Sequence, residues 1–83
     1  MMTEREIVVR IAATLTTLLD VNGSPESTIY LAYGMNWGTW NLLRGIMERA
    51  GWIVVRNFYV TLTPSGKVKA AECQAIIDEA GRS

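Results

Sequence analysis

The residues best suited to recognising another molecule lie along one predicted helix in the middle of the chain, at about residues 37–50. Asn41 and Arg44 are three residues apart, so their side chains share one face of that helix. An arginine can bind guanine through two hydrogen bonds, and an asparagine can bind adenine in the same way. The other members of this face are Trp37, Gly38, Gly45 and Glu48. The pattern predicts either a face that reads base edges or an ordinary exposed helix surface.

Most of the residues that enzymes use are missing from the sequence. The chain has no histidine, and its one cysteine, Cys73, can form neither an internal disulfide nor a zinc site. Histidine acid–base catalysis, Ser-His triads and most transition-metal sites are therefore excluded. The neighbouring carboxylates Asp78 and Glu79 point to different sides of a predicted helix, which is typical of solvated charges. We predict that the protein is not an enzyme and has no metal or other cofactor.

The charge of the chain is balanced overall but uneven along the sequence. The 83 residues carry a net charge of 0, yet residues 44–69 carry +4 and the segments on either side carry −2 each. Basic residues supply the phosphate contacts that a nucleic-acid partner requires. The length predicts a single domain over residues 1–83. The start MMTERE and the absence of a long apolar run predict an intracellular, cytoplasmic protein without a membrane segment.

A first helix is predicted at about residues 4–20, with Thr3 as its N-cap and Glu6 completing a capping box. Asn22 and Gly23 tolerate the left-handed conformation that ends a helix. The broad apolar stripe of this helix consists of Ile7, Val8, Ile11, Leu15, Leu18 and Leu19. The other side carries Val9, Ala13, Thr16 and Thr17. This second side is either a plain exposed surface or a contact between subunits.

The next two predicted helices, at about residues 25–33 and 37–50, are joined by a short turn. Ser24 is predicted to cap the first of them, with Pro25 at its first helical position. Its predicted inward residues are Ile29 and Ala32, and its predicted half-buried residues with hydroxyls in water are Tyr30 and Tyr33. Two helices joined by a turn of about three residues form a helix-turn-helix motif.

The turn of this motif is Gly34-Met35-Asn36, and Asn36 is predicted to cap the following helix. Met35 and Trp40 occupy the positions of a hydrophobic staple, which fixes the angle at which the chain enters the helix. The predicted inward stripe consists of Trp40, Leu43, Ile46, Met47 and Ala50.

A β-hairpin is predicted at about residues 52–63, because β-branched and aromatic residues flank a polar dipeptide there. Its turn is centred on either Arg56-Asn57 or Asn57-Phe58, and both registers keep the same residues inward. The predicted inward residues are Ile53, Val55, Phe58, Val60 and Leu62.

A last helix is predicted at about residues 64–80, with Thr63 as its N-cap and Pro64 at its first position. One of its apolar strips consists of Val68, Ala71, Ala75 and Ile76, and a second of Cys73, Ile77 and Ala80. A small domain with two such strips on its terminal helix can bury one of them against another subunit. We therefore predict a homodimer interface formed by Val9, Ala13, Cys73, Ile77 and Ala80.

Three segments carry a resemblance to a known family: STIYLAYGMNW at the helix-turn-helix, IMERAGWI after it, and YVTLTPSG after the hairpin. Together they resemble a winged helix-turn-helix domain, an α+β fold that is mostly α. It has three helices, a two-stranded β-hairpin wing and a C-terminal helix. The similarity is closest to the small single-domain winged-helix proteins of archaea and their viruses, and looser to MarR and PadR-like regulators.

The resemblance implies a transcriptional regulator that binds double-stranded DNA, usually as a homodimer. In such families the third helix enters the major groove, and the wing contacts the backbone or the minor groove. The residues that these positions assign to DNA contact are Trp37, Gly38, Asn41, Arg44, Gly45 and Glu48 on the helix and Arg56 and Asn57 on the wing.

A protein-binding module of the same fold is the alternative function. It is favoured by the net charge of 0 and by the aromatic residues Trp37, Tyr30 and Tyr33 around the motif. Aromatic residues are enriched at protein interfaces, whereas charged residues are depleted in the centres of those interfaces. The sequence does not identify an effector molecule for either function.

Overall fold

The computed structural model describes residues 3–81 as helices packed around a small antiparallel sheet. The helices are α1 (Glu4–Val21), α2 (Glu26–Ala32), α3 (Trp37–Arg49) and α4 (Pro64–Ala80). The strands are β1 (Ser24–Pro25), β2 (Ile53–Arg56) and β3 (Tyr59–Leu62), in the order β1-β3-β2. The predicted mostly helical α+β fold with a hairpin wing is confirmed. The assignment of residues 1–83 to one domain extends beyond the described residues and stays a prediction.

The starts of α1 and α3 follow from short-range capping, as the sequence predicts. The hydroxyl of Thr3 accepts a hydrogen bond from the Glu6 amide at 3.2 Å. The side chain of Asn36 accepts one from the Thr39 amide at 2.8 Å. Each of these bonds satisfies a backbone donor that has no partner inside the helix. The positions of α1 and α3 are thus set by residues at their own N-termini.

The core lies where α1, α3 and the sheet meet. Its fully buried large side chains include Leu15 and Leu18 from α1, Trp40 and Met47 from α3, and Val60 from β3. The buried hydrophobic residues within residues 3–81 are Ile11, Leu15, Leu18, Ile29, Met35, Trp40, Leu43, Met47, Ile53, Val60 and Ala70. Of the predicted inward stripe of α3, Trp40, Leu43 and Met47 are buried here and Ile46 is partly buried. Ala50 is exposed, so its predicted inward position is wrong, because it is the C-cap residue at which the helix ends. The face of α3 opposite the buried residues is directed away from the core.

The start of α2 differs from the prediction. Ser24 and Pro25 form the short strand β1, which pairs with Val60 and Tyr59 of β3, so the sheet has three strands instead of two. Pro25 is the N-cap of α2 and provides no side-chain hydrogen bond, and the predicted Ser24 cap is wrong. The physical reason is that β3 offers backbone partners that a local capping rule does not include.

The register of the hairpin is set by a two-residue turn at Asn57-Phe58. Arg56 pairs with Tyr59, and both turn residues have positive φ, 51° for Asn57 and 63° for Phe58. Positive φ at both central residues is what a type I′ turn requires, and its twist matches that of the strands. Phe58 is therefore in the turn and exposed, so its predicted inward position is wrong. Of the other predicted inward residues, Ile53 and Val60 are buried.

On several helices the buried residues also differ from those predicted. On α1, Val8 and Leu19 are exposed, whereas Thr14 is fully buried and donates to the Arg10 carbonyl at 2.8 Å. Ala32 of α2, predicted to face inward, is exposed. On α4, the apolar strip of Val68, Ala71, Ala75 and Ile76 is exposed. The buried residues of α4 are Gly66 and Ala70, and at Gly66 the Trp52 carbonyl leaves no room for a side chain.

Candidate nucleic-acid interface

The outward face of α3, which we call the reading face, consists of Trp37, Gly38, Asn41, Arg44, Gly45 and Glu48. Asn41 and Glu48 are exposed, and Trp37 retains 47% of its accessible surface. The Arg44 side chain is only 25% exposed, because it lies across the surface instead of extending into solvent. The structure therefore brings the six predicted residues together on one side of α3.

Arg44 is held by four neighbours. Its Nη1 donates to Glu26 Oε1 at 2.9 Å, and its Nη2 donates to Asn41 Oδ1 at 2.6 Å. Its Nε forms an ion pair with Glu48 Oε1 at 3.2 Å. The guanidinium also lies over the Trp37 ring, 5.4 Å from the centroid, at cation–π distance. These contacts hold the guanidinium of Arg44 against the surface of α3 and use at most three of its five N–H donors.

Glu26 is the residue of this site that the sequence does not reveal. It is 2% exposed, and its Oε1 accepts hydrogen bonds from both Arg44 and the buried indole of Trp40, each at 2.9 Å. An acidic residue in the first turn of a helix is ordinarily interpreted as an exposed charge that favours the helix dipole. Its partners are 14 and 18 residues away in sequence, so no local pattern identifies the buried role.

The electrostatics of the reading face differ from those of a basic surface. Glu26 and Glu48 both contact the single cation Arg44, so this cluster carries one more negative than positive charge. The side-chain oxygen of Asn41 is bound to Arg44, which leaves its amide N–H groups as donors towards solvent. The face therefore offers the amide donors of Asn41, the exposed carboxylate of Glu48 and an arginine that is held by two carboxylates.

The aromatic residues around the motif have different surroundings. Tyr30 and Trp37 form an edge-to-face pair with their centroids 6.0 Å apart, which extends the reading face towards α2. The Tyr33 hydroxyl is hydrogen-bonded to Thr17 and donates to the Ala13 carbonyl at 3.2 Å. The predicted water contact of Tyr33 is therefore wrong, because this hydroxyl joins the end of α2 to α1.

The tip of the hairpin, formed by Asn57 and Phe58, lies beside the start of α2. The Glu26 amide donates to the Phe58 carbonyl at 2.8 Å, while the Glu26 carboxylate binds Arg44 of α3. One residue thus connects the hairpin tip and the reading face. Arg56 and Asn57 are both exposed, and Arg56 has no ion pair within residues 3–81.

The residues predicted for a subunit contact are in mixed environments. Val9, Ile77 and Ala80 are exposed, whereas Ala13 and Cys73 are partly buried within the chain. A shallow groove of 620 Å³ between α1 and α4 is lined by Thr16, Thr17, Leu19, Asp20 and Gln74. Residues 3–81 contain no group of three metal-ligating side chains and no helix that is long and apolar enough to cross a membrane.

A substitution at Gly45 tests whether the space around this position of the reading face is free of other atoms. A Cβ added to Gly45 would meet nothing within 4 Å. We expect Gly45→Ala to raise the free energy of unfolding by about 0.5–1 kcal/mol, because alanine restricts the unfolded chain and favours the helix. Urea unfolding measures this change, and a destabilised variant would show that the position is not open.

Two solved structures are similar to this fold. MepR, a transcription regulator of the Staphylococcus aureus multidrug efflux pump MepA, superposes with a TM-score of 0.71 at 24% identity over 87% of this chain. A protein of Pseudomonas aeruginosa PA01 assigned as a transcriptional regulator superposes with a TM-score of 0.70 at 22% identity over 88%. The fold is a winged helix.

The likeness at this level of identity establishes the fold of the chain. The chain spans 57% of the length of MepR and 54% of the Pseudomonas aeruginosa protein, so it corresponds to little more than half of each. No protein-family model matches the sequence. No curated protein matches it either.

Proposed function

We propose that the chain is a DNA-binding transcriptional regulator that acts as a homodimer in the cytoplasm. The observation that carries the proposal is the connection through Glu26, which holds the hairpin tip and the reading face at one side of the molecule. That arrangement suits simultaneous contact with a major groove and with the neighbouring backbone. Both similar solved structures are of regulators, which supports DNA binding over a protein-binding module. A relationship to archaeal and viral winged-helix proteins stays a prediction.

The proposed contacts divide between the hairpin and α3. Arg56 is exposed and forms no ion pair with the other described residues, so it supplies a cation for a phosphate group. On the reading face, the free amide donors of Asn41 meet base edges, with Gly38 and Gly45 allowing close approach. Phosphate contacts position a protein on the duplex, whereas base contacts specify the sequence. Arg44 organises the face, because its charge is already balanced by two carboxylates.

A dimer is proposed because each protomer has few unpaired cations near the hairpin and α3. Within residues 3–81, Arg49 of α3 and Arg56 of the hairpin are exposed and form no ion pair. The neutralised Arg44 leaves each protomer with few phosphate contacts, and non-specific affinity depends on their number. A second copy doubles that number. The proposed interface includes the exposed apolar residues Val9 and Ile77 that the sequence identifies, joined by Val8 and Ile76 on the same two helices. Two such protomers would bind half-sites about 34 Å apart.

The salt dependence of duplex binding tests this proposal. We expect the affinity for a labelled pool of random duplexes to fall as the salt concentration rises. Arg56→Ala should make the negative slope of log K against log salt shallower by about 0.9 per protomer, because one phosphate contact is lost. Fluorescence anisotropy at a series of salt concentrations measures both quantities.

Lys67→Ala is the matched control for Arg56→Ala. Lys67 is also exposed and without an ion pair within residues 3–81, but it lies in α4, beyond the other end of the hairpin. Its removal should leave the slope unchanged. Equal effects of the two substitutions, or no binding at low salt, would contradict the proposed function.

A further inference from the structure

Phe58 at the hairpin tip combines strain with exposure. It has a φ of 63°, and 75% of its accessible surface remains in contact with solvent. A bulky residue at positive φ is a conformational outlier. The second central position of a type I′ turn is the place where glycine is preferred, as in the dipeptide Asn-Gly. The chain has the asparagine of that pair at position 57 but a phenylalanine at position 58.

The core does not account for the phenylalanine. The buried residues of the hairpin are Ile53 and Val60, and Phe58 is outside the core cluster. Glycine would form the same turn with less strain and would leave no apolar ring in water. Strained residues that packing does not explain are concentrated at functional sites. The Phe58 side chain is therefore expected to act in binding another molecule.

The position of Phe58 indicates which molecule that is. Its carbonyl accepts a hydrogen bond from the Glu26 amide, and the Glu26 carboxylate binds Arg44, so Glu26 connects the turn that carries Phe58 to the reading face. The exposed cation Arg56 is two residues before it. An apolar ring with an adjacent cation, on a turn beside a groove-binding helix, fits a duplex. The ring can enter between bases while the cation binds the flanking phosphate.

We propose that Phe58 is a wedge that inserts between two adjacent base pairs of bound duplex DNA and bends it. The inference rests on the proposed function, because it presupposes that α3 and the hairpin contact a duplex. Insertion partly unstacks one base step, and the cost of unstacking is lower where the step is already weakened. A chain with such a wedge distinguishes intact from locally weakened DNA.

The experiment compares two labelled duplexes of about 30 base pairs that share one sequence, the second having a central two-base mismatch. We expect the protein to bind the mismatched duplex about tenfold more tightly, because part of the unstacking cost is already removed. Phe58→Gly should lose this preference, to within about twofold, while it retains binding to the intact duplex within about threefold.

Three further measurements separate a wedge from a general effect on folding. Phe58→Gly should melt at the same or a higher temperature than the original protein, since glycine relieves the strain at positive φ. Phe58→Trp should keep the preference for the mismatched duplex. Val68→Ala, at an apolar residue of α4 that is 61% exposed, should not change the preference.

Three results would overturn the proposal, and they differ in what they imply for the proposed function. Equal binding of the two duplexes by the original protein, or an unchanged preference in Phe58→Gly, overturns the wedge and leaves the proposed function standing. Absence of binding to either duplex at low salt overturns both.

Discussion

Replacing Glu26 with alanine is expected to lower the free energy of unfolding by about 3 kcal/mol. The substitution leaves the buried Trp40 indole without its acceptor and removes the carboxylate that holds Arg44. Breaking a fully buried ion pair costs about 3–5 kcal/mol, and an unpaired buried donor costs about 1–3 kcal/mol. Because Arg44 is 25% exposed and water can reach it, the total lies at the lower end. Urea unfolding at equilibrium measures this difference.

Glu48→Ala is the matched control, since Glu48 is the other carboxylate that contacts Arg44. It is exposed, so its removal should cost less than about 1 kcal/mol. Glu26→Gln should be intermediate, because an amide oxygen can still accept from Trp40 but has no charge for Arg44. If Glu26→Ala and Glu48→Ala destabilise the protein equally, Glu26 is not the central residue of this cluster.

Gly66→Ala is expected to cost about 3 kcal/mol and to lower Tm by roughly 15 °C. A Cβ at this position would lie 1.9 Å from the Trp52 carbonyl oxygen and 2.8 Å from its carbon. That carbonyl cannot easily move, because it accepts a hydrogen bond from the Thr63 amide at 3.0 Å. The Gly66 amide is itself bound to the Thr63 hydroxyl at 2.9 Å. Calorimetry of the variant measures the change in Tm.

The control for this substitution is Gly45→Ala, the same change at a helical glycine with open surroundings. The two variants should differ in sign, with Gly45→Ala stabilised and Gly66→Ala destabilised. If Gly66→Ala melts like the original protein, the first turn of α4 does not pack as closely on Trp52 as the structure shows.

The parts of the fold that the sequence predicts are those determined by neighbours along the chain. Thr3, Asn36 and Thr63 cap their helices through residues three positions away. The inward stripe of α3 follows from helical periodicity, because large apolar residues recur every three or four positions. The winged-helix arrangement is predictable for the same reason, since it depends on the order of these local elements.

The parts that the sequence does not predict depend on partners far along the chain. Ser24 becomes part of a strand because β3 returns beside it, and a capping rule has no information about β3. The buried side of α4 begins at Gly66, which packs closely on the Trp52 carbonyl, whereas hydrophobicity alone favours the larger residues of the exposed strip. The alternating pattern of the hairpin predicts that Phe58 faces inward, but the pairing of Arg56 with Tyr59 places Phe58 in the turn.

The candidate site shows both kinds of outcome. Helical geometry predicts that Asn41 and Arg44 share a face, and the structure joins them by a hydrogen bond of 2.6 Å. The role of Glu26 could not be predicted, because the sequence does not distinguish a buried glutamate from an exposed one in the first turn of a helix. Its effect on the site is large, since it turns the one arginine of the reading face into a bound residue.

The central proposal is that this winged helix binds DNA as a two-fold symmetric dimer. In-vitro selection of duplexes from a random pool tests it most directly. We predict enrichment of an inverted repeat whose half-sites are centred about 34 Å, or one helical turn, apart. A single enriched site without symmetry would contradict the pairing of protomers. A pool that remains random after repeated rounds at low salt would contradict DNA binding by this chain.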